Sequence, residues 1–327
     1  MTNRDRFYET MHYGNPDRIP YFEEGIRHDV IRVWRKQGLK SKKELTRLFP
    51  NDPRDEIYID LDPHPAVVKP GIKLSEIRKR LDPDSKNRWP WYWNRSVKKW
   101  RTSDTIRLLR VHRGFFLAFG VDGWETFDQT ITLICENPEY VKAYLEIYGH
   151  FCAEMAERVL THVSVDGVIF SEPIGGKEGP LISPAFYCSV ILPTYKPIFD
   201  ILRKYNISII IIRTYANIQP FLPFLLDAGF NCLWACEPDI PEMDYRVLRE
   251  LYGKNLRLIG GLNINCLLGD KNQIRDELNQ KIPQLIKEGG YIPLADGRIR
   301  SNVPYDNYVY YRQLLITYTN KGGMSDV

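Results

Sequence analysis

From residue 160 onward, short apolar, β-branched runs alternate with longer amphipathic ones, the pattern that a parallel sheet wrapped by helices requires. The predicted strands are "VDGVIFSEP" (165–173), "ISIIIIRTY" (207–215), "FNCLWACEP" (230–238), "LRLIGGLN" (256–263) and "GGYIPLAD" (289–296). Between them the periodicity predicts helices over 184–205, 218–228, 244–252, 271–287 and 305–317. Ser183 stands before Pro184, a hydroxyl acceptor followed by a proline in the first helical turn, which suits the unpaired amides of a helix start. Gly229, Gly253 and Gly289 fall where helices should stop. In the less regular first half, "RIPYFEEG" (18–25), "DEIYIDLD" (55–62) and "GFFLAFG" (114–120) read as strands and 138–160 as one long helix. Eight strands, each with room for a following helix, predict a single-domain α/β chain over 1–327 folded as a (β/α)8 TIM barrel. A doubly wound open sheet is the rival, but no Gly-rich phosphate loop follows any strand; "EPIGGKEGP" (172–180) has neither dinucleotide-binding nor P-loop spacing.

In a parallel barrel the chemistry sits where strands turn into their following loops, so polar residues at those turns become candidates. They are Glu24 and Arg27 after the first strand, Asp60, Asp62 and His64 after the second, and Glu172 after "VDGVIF". Arg213 and Tyr215, Glu237, Asn263, and Asp296 with Arg298 follow in the later strands. Each alone is more often a helix cap or a solvated loop group than a catalytic one.

Composition is ordinary for a globular chain: 43% hydrophobic and 26% charged over 327 residues, enough to bury a sizeable core. A formal net charge of +4 argues against a dedicated nucleic-acid binder. The stretch 73–113 departs from this balance. It is strongly basic and rich in Trp, and is expected to be a solvated, irregular insertion, with a surface for an acidic partner as the second reading. The six cysteines are scattered and read as small core residues of a reducing compartment; Cys232 and Cys236 share one strand face but have no second pair to complete a metal site. The N-terminal residues carry no apolar signal core, and no run of 18 apolar residues occurs, so a cytoplasmic location without membrane contact is expected.

The segments "TNRDRFYETMHYGNPDRIPYFEEGI", "KRLDPDSKNRWP", "EPIGGKEGPLISPAFYCSVILPTYKPIFDILRKYNI", "YGKNLRLIGGLNI" and "EGGYIPLADGRIRSNVPYDNYVYYRQLL" together resemble the uroporphyrinogen decarboxylase superfamily, in particular its decarboxylase-like branch. The resemblance implies a (β/α)8 barrel, and homodimers are common among its members. Its corrinoid-linked methyltransferases hold zinc through a His-x-Cys after one strand and a Cys near the last. Those positions here are Arg213, Tyr215 and Gly297, none an ordinary zinc donor, so no metal site is expected. The decarboxylase-like branch often carries Asp-x-Asp-Gly-Asn there, of which only Asn217 is kept; its Glu-Asp reads Glu172-Pro173, and its Gly-Gly-Ile-Asp-Lys reads "GGLNI". True uroporphyrinogen decarboxylases are free of metal and cofactor and bind an octacarboxylate through arginines. Only Arg27 lies roughly where one of those falls, and Asp296 takes about the place of their late His, so another substrate is expected.

These readings, with the resemblance, lead to a metal-free, decarboxylase-like enzyme, without cofactor, that acts on a small carboxylated or otherwise anionic molecule. Arg27, Arg213 and Arg298 would hold the anion beside Asp60, Glu172 and Glu237, and Asp296 and Tyr215 would transfer protons. For Arg213 a structural ion pair with Glu172 or Glu237 is the other reading. Two alternatives remain open: zinc-independent methyl transfer with a corrinoid carried by a partner protein that could dock on 73–113, and a non-catalytic barrel used for binding.

Overall fold

The structure, a computed structural model, describes residues 1–66, 72–234 and 239–320. It folds as an α/β chain in two compact units. The central unit comprises Arg54–Ser103 and Arg107–Asn231; the terminal unit comprises Met1–Pro53, Asp104–Ile106 and Cys232–Val327.

In the central unit four strands lie side by side in the order β1 (Arg54–Ile57), β2 (Ile106–His112), β3 (Gly167–Ser171) and β6 (Ile210–Arg213). A small antiparallel ribbon, β4 (Gly175–Gly176) with β5 (Gly179–Pro180), follows β3. β2 pairs in parallel with β3, and β3 with β6 in the register Val168 to Ile210 through Ser171 to Arg213. All four residues of β6 are buried, which explains its unbroken aliphatic run. The helix Pro138–Leu160 starts where its sequence predicts: the Asn137 side chain accepts the Tyr140 amide and Pro138 fills the first position. Its apolar stripe of Val141, Leu145, Tyr148, Cys152, Met155 and Val159 is buried, each large side chain contributing about 1.5–3 kcal/mol of burial.

The terminal unit pairs β7 (Cys232–Trp234), β8 (Arg257–Ile259) and β9 (Tyr291–Ile292) in parallel. Its core joins Trp34, Phe49, Leu278, Ile282, Tyr308 and Tyr311. The Trp34 indole donates to the Val303 carbonyl at 2.8 Å, as a buried indole requires.

Several expectations need correction. "GFFLAFG" is not a strand: Gly114, at φ +93°, turns the chain into a one-turn helix, Phe115–Ala118, and the strand is the preceding "IRLLRVH". "RIPYFEEG" forms no regular strand but is tied by bridges of Arg18 to Asn320 and Ile26 to Ile299. Residues 73–113, expected to be irregular, carry the helices Leu74–Arg80 and Trp93–Thr102 and all of β2. The single helix expected over 184–205 is broken into the α-turn Pro184–Phe186, a π-turn Tyr187–Ile191, a 3-10 turn Leu192–Tyr195 and the helix Lys196–Lys204, with Pro193 and Pro197 inside it.

Candidate functional site

In the central unit the candidate residues gather just past the strands. Glu172 follows β3, and its amide donates to the Arg213 carbonyl at the end of β6 (2.8 Å). Glu172 is 1% exposed, and among the described residues no cation is bonded to its carboxyl. One oxygen accepts the Phe115 amide (2.9 Å); the other accepts the Tyr195 hydroxyl (2.5 Å) and the Tyr187 hydroxyl (3.2 Å). Burial pushes this carboxyl up to about 7 although all three donors favour its charged form. His112 sits beside it on β2, its ring 4.5 Å from that of Tyr195, with Nδ1 accepting the Gly114 amide (2.9 Å). Burial lowers this imidazole to about 3, so it is neutral.

Arg213 is engaged elsewhere. Its two terminal nitrogens grip both oxygens of Glu56 on β1, at 2.8 and 2.7 Å, so its ion-pair partner is Glu56 and not Glu172, which meets only its main chain. Burial alone would raise the Glu56 carboxyl, but the hydrogen bonds and charge of Arg213 outweigh it and hold it at about 2. The Tyr58 hydroxyl also donates to Glu56 (2.7 Å), and the Arg110 guanidinium from β2 lies over the Tyr58 ring, 4.6 Å from its centre. Arg110 makes no hydrogen bond or ion pair through its side chain among the described residues, and its Nε is buried.

Asp60 meets His64 at 2.5 Å and lies 3.7 Å from buried Arg88, while Asp62 pairs with Arg113. Tyr215 lies past the end of β6 and is 46% exposed, against 8% for Arg213. The two therefore do not share one environment.

The terminal unit holds Asp296, 6% exposed, with its carboxylate accepting the Gly261 amide (2.9 Å) and its own amide donating to Leu262 (2.9 Å). Gly260 is required beside it, because a Cβ there would stand 2.1 Å from the carboxylate at φ +105°. Glu24 accepts the Trp234 indole (2.6 Å). Arg27 and Arg298 are exposed and flank the Ile26–Ile299 bridge: the Arg27 amide donates to Ile299, and the Arg298 guanidinium reaches the Ile26 carbonyl at 3.5 Å. Asn263 caps the turn at Asn265 and donates to Asp239. Glu237 and Cys236 lie outside the described residues.

The residues that sequence reasoning missed are Glu56, Tyr58, Arg110, His112 and the pair Tyr187 and Tyr195. Only Glu56, Tyr58 and Arg110 had a usable signal: a charge or phenol recurring among apolar residues of a strand.

The sequence model described as uroporphyrinogen decarboxylase (URO-D) matches residues 118–308, more than half of the chain. The chain belongs to the uroporphyrinogen decarboxylase family. Glu172, Arg213, Asp296 and Arg298 fall inside the matched segment of this family member, whereas Glu56, Tyr58 and Arg110 precede it. Comparison with curated proteins found no match. Among solved structures, a methyltransferase from Methanosarcina mazei is similar with a TM-score of 0.59 at 11% identity, over 98% of this chain and 99% of that one; the likeness is one of fold. A GH26 beta-mannanase from Bacteroides ovatus matches at 0.47 and 9% identity, over 96% and 93% of the chains. A 2,3-dimethylmalate lyase of the PEP mutase/isocitrate lyase superfamily matches at 0.30 and 13%, over 81% and 73%. Likenesses that loose carry no inference about this family member. No helix among its described residues is long and apolar enough to cross a membrane.

Proposed function

We propose that this family member binds a small carboxylated molecule past the strand ends of the central unit and acts on it by decarboxylase-type chemistry, as a closed (β/α)8 barrel. The observation that carries the reading is Arg110. A guanidinium stacked on Tyr58, with its Nε buried and no carboxylate of the described residues bonded to it, has a fork available for an anion. Arg213, by contrast, is occupied by Glu56 and serves as a wall that fixes the Tyr58 hydroxyl through that carboxylate.

Decarboxylation breaks a C–CO2 bond, leaves the electron pair on carbon and ends with a proton delivered there. A clamp on the departing carboxylate that is equally strong in the ground state gives no acceleration. Arg110 is therefore assigned to a carboxylate that stays, and the exposed Tyr215 phenol of the same unit is kept as the proton-transfer candidate. Arg213, Tyr215 and Gly297 offer no zinc donor set, so no step is routed through a metal.

A second reading is methyl transfer with a corrinoid-carrying partner protein, in keeping with the name of the Methanosarcina mazei structure. Its support is the surface around Trp91, which is 92% exposed and precedes a helix, Trp93–Thr102, carrying exposed Arg95, Lys98 and Arg101. Thermal shifts of the full chain against di- and tricarboxylates separate these readings. Stabilisation that Arg110→Gln abolishes supports carboxylate binding; indifference to every carboxylate sinks it.

A further inference from the structure

We propose that the terminal unit carries a ligand site of its own, a cleft of about 530 Å3 that takes a small amphiphilic anion: one carboxylate or phosphate on an apolar body. The volume lies in the range of small-molecule sites, roughly 300–1,000 Å3. The site goes beyond the carboxylate reading above, since all its residues belong to the terminal unit.

The cleft is built from rigid parts. Gly25 at φ +99° turns the chain out of the first extended segment, and the backbone on either side is pinned: Ile299 donates to the Gly25 carbonyl (2.9 Å) and Arg27 to the Ile299 carbonyl (3.1 Å). Arg27 and His28 are thereby placed on one rim. Lys42 and Thr46, four residues apart on the helix Lys42–Leu48, line the other. Apolar lining comes from Ile31, Leu45 and Phe49, and Tyr308 adds a ring that lies tilted against Trp34 (4.8 Å) and meets Phe49 edge-on (5.6 Å).

Charge decides the ligand class. Glu23 is the one carboxylate among the lining residues, and it is already compensated by fully buried Arg312 at 2.5 Å. Arg312 is fixed in turn by Asn51 (3.0 Å) and the Pro50 carbonyl (3.2 Å). Arg27 and Lys42 are exposed, and neither side chain has an ion pair among the described residues. Asp29 offsets part of the Arg27 charge from two residues away, but its carboxylate is not among the lining residues. Two exposed cations without ion pairs over an apolar wall therefore select an anion with a hydrophobic body, and a bare ion would leave that wall wet.

Calorimetric titration of the full chain with phenyl phosphate, benzoate, inorganic phosphate and benzyl alcohol tests the site. Phenyl phosphate or benzoate should bind at least about tenfold tighter than either inorganic phosphate or benzyl alcohol, and the stronger of the two names the anionic group. Arg27→Gln with Lys42→Gln, both on the surface, should weaken that binding by about tenfold or more without changing the melting curve, and Thr46→Trp should block it by filling the cleft. Arg110→Gln should leave it unchanged. The proposal is overturned by equal binding of bare phosphate, by binding that survives the double variant, by loss in Arg110→Gln, or by no binding of the four probes.

Discussion

Two corners of the central unit bury a carboxylate, one within β1 and one just past β3, and satisfy it in opposite ways. At β1, Glu56 faces a bidentate arginine and is held at about 2; past β3, Glu172 faces two phenols and one amide and is pushed up to about 7. Hydrogen-bond count does not separate them, since each accepts three. The difference is one formal charge: neutral donors lower a buried carboxyl less than burial raises it, whereas a cation in fork geometry outweighs burial. Glu56 is thus a fixed anion over the ordinary pH range, and Glu172 changes state within it.

The largest effect should come from separating the ion pair. Arg213→Met leaves the Glu56 carboxylate with Tyr58 and a distant Arg54 (3.8 Å), and should cost about 3 kcal/mol in chemical denaturation, near the low end for a broken buried pair. Tyr195→Phe should cost less, about 1–2 kcal/mol, because it removes one neutral donor from Glu172; it should also raise that carboxyl further. A loss as large as that of Arg213→Met would break the contrast.

The pH dependences should have opposite signs. Glu56 titrates at about 2 folded against 4.5 in the unfolded chain, so its contribution is present above 4.5 and is lost as pH falls towards 2. Glu172 titrates at about 7 folded against 4.5 unfolded; the folded state keeps its proton longer, so stability falls as pH rises from 4.5 to 7. Glu172→Gln should remove that slope and leave the acid limb intact, which denaturation midpoints followed from about pH 2 to about pH 8 would show. The smallest effect on stability should be that of Arg110→Gln, within about 0.5 kcal/mol, because Arg110 has no bonded partner to orphan.

Much of the outer layer was legible. The helix Pro138–Leu160 and the Ser183 cap, whose hydroxyl accepts the Phe186 amide (3.2 Å), stand where local chemistry places them, as do the stops at Gly229 and Gly289. The site was less so, for reasons of distance in sequence. Arg213 and Glu56 are 157 residues apart, and nothing local says that the strand interior at Glu56 supplies the partner. Arg110 was hidden because its basic, Trp-rich surroundings outweighed the short apolar run of β2, and because the aromatic run 114–120 imitated a strand. Glu172 was found from its place after β3, but its phenols were not, since they hang on a segment whose winding a regular helix does not predict.

That irregular winding carries a consequence for insertions and deletions. An α-helix advances about 100° per residue. Removing one residue from Tyr187–Ile191 to restore regular winding would swing Tyr195 about a quarter-turn relative to Tyr187, and a single carboxylate could no longer be gripped by both hydroxyls. Length in this stretch is thus as tightly specified as side-chain identity, and a sequence relative one residue shorter there would have to satisfy its glutamate by other means.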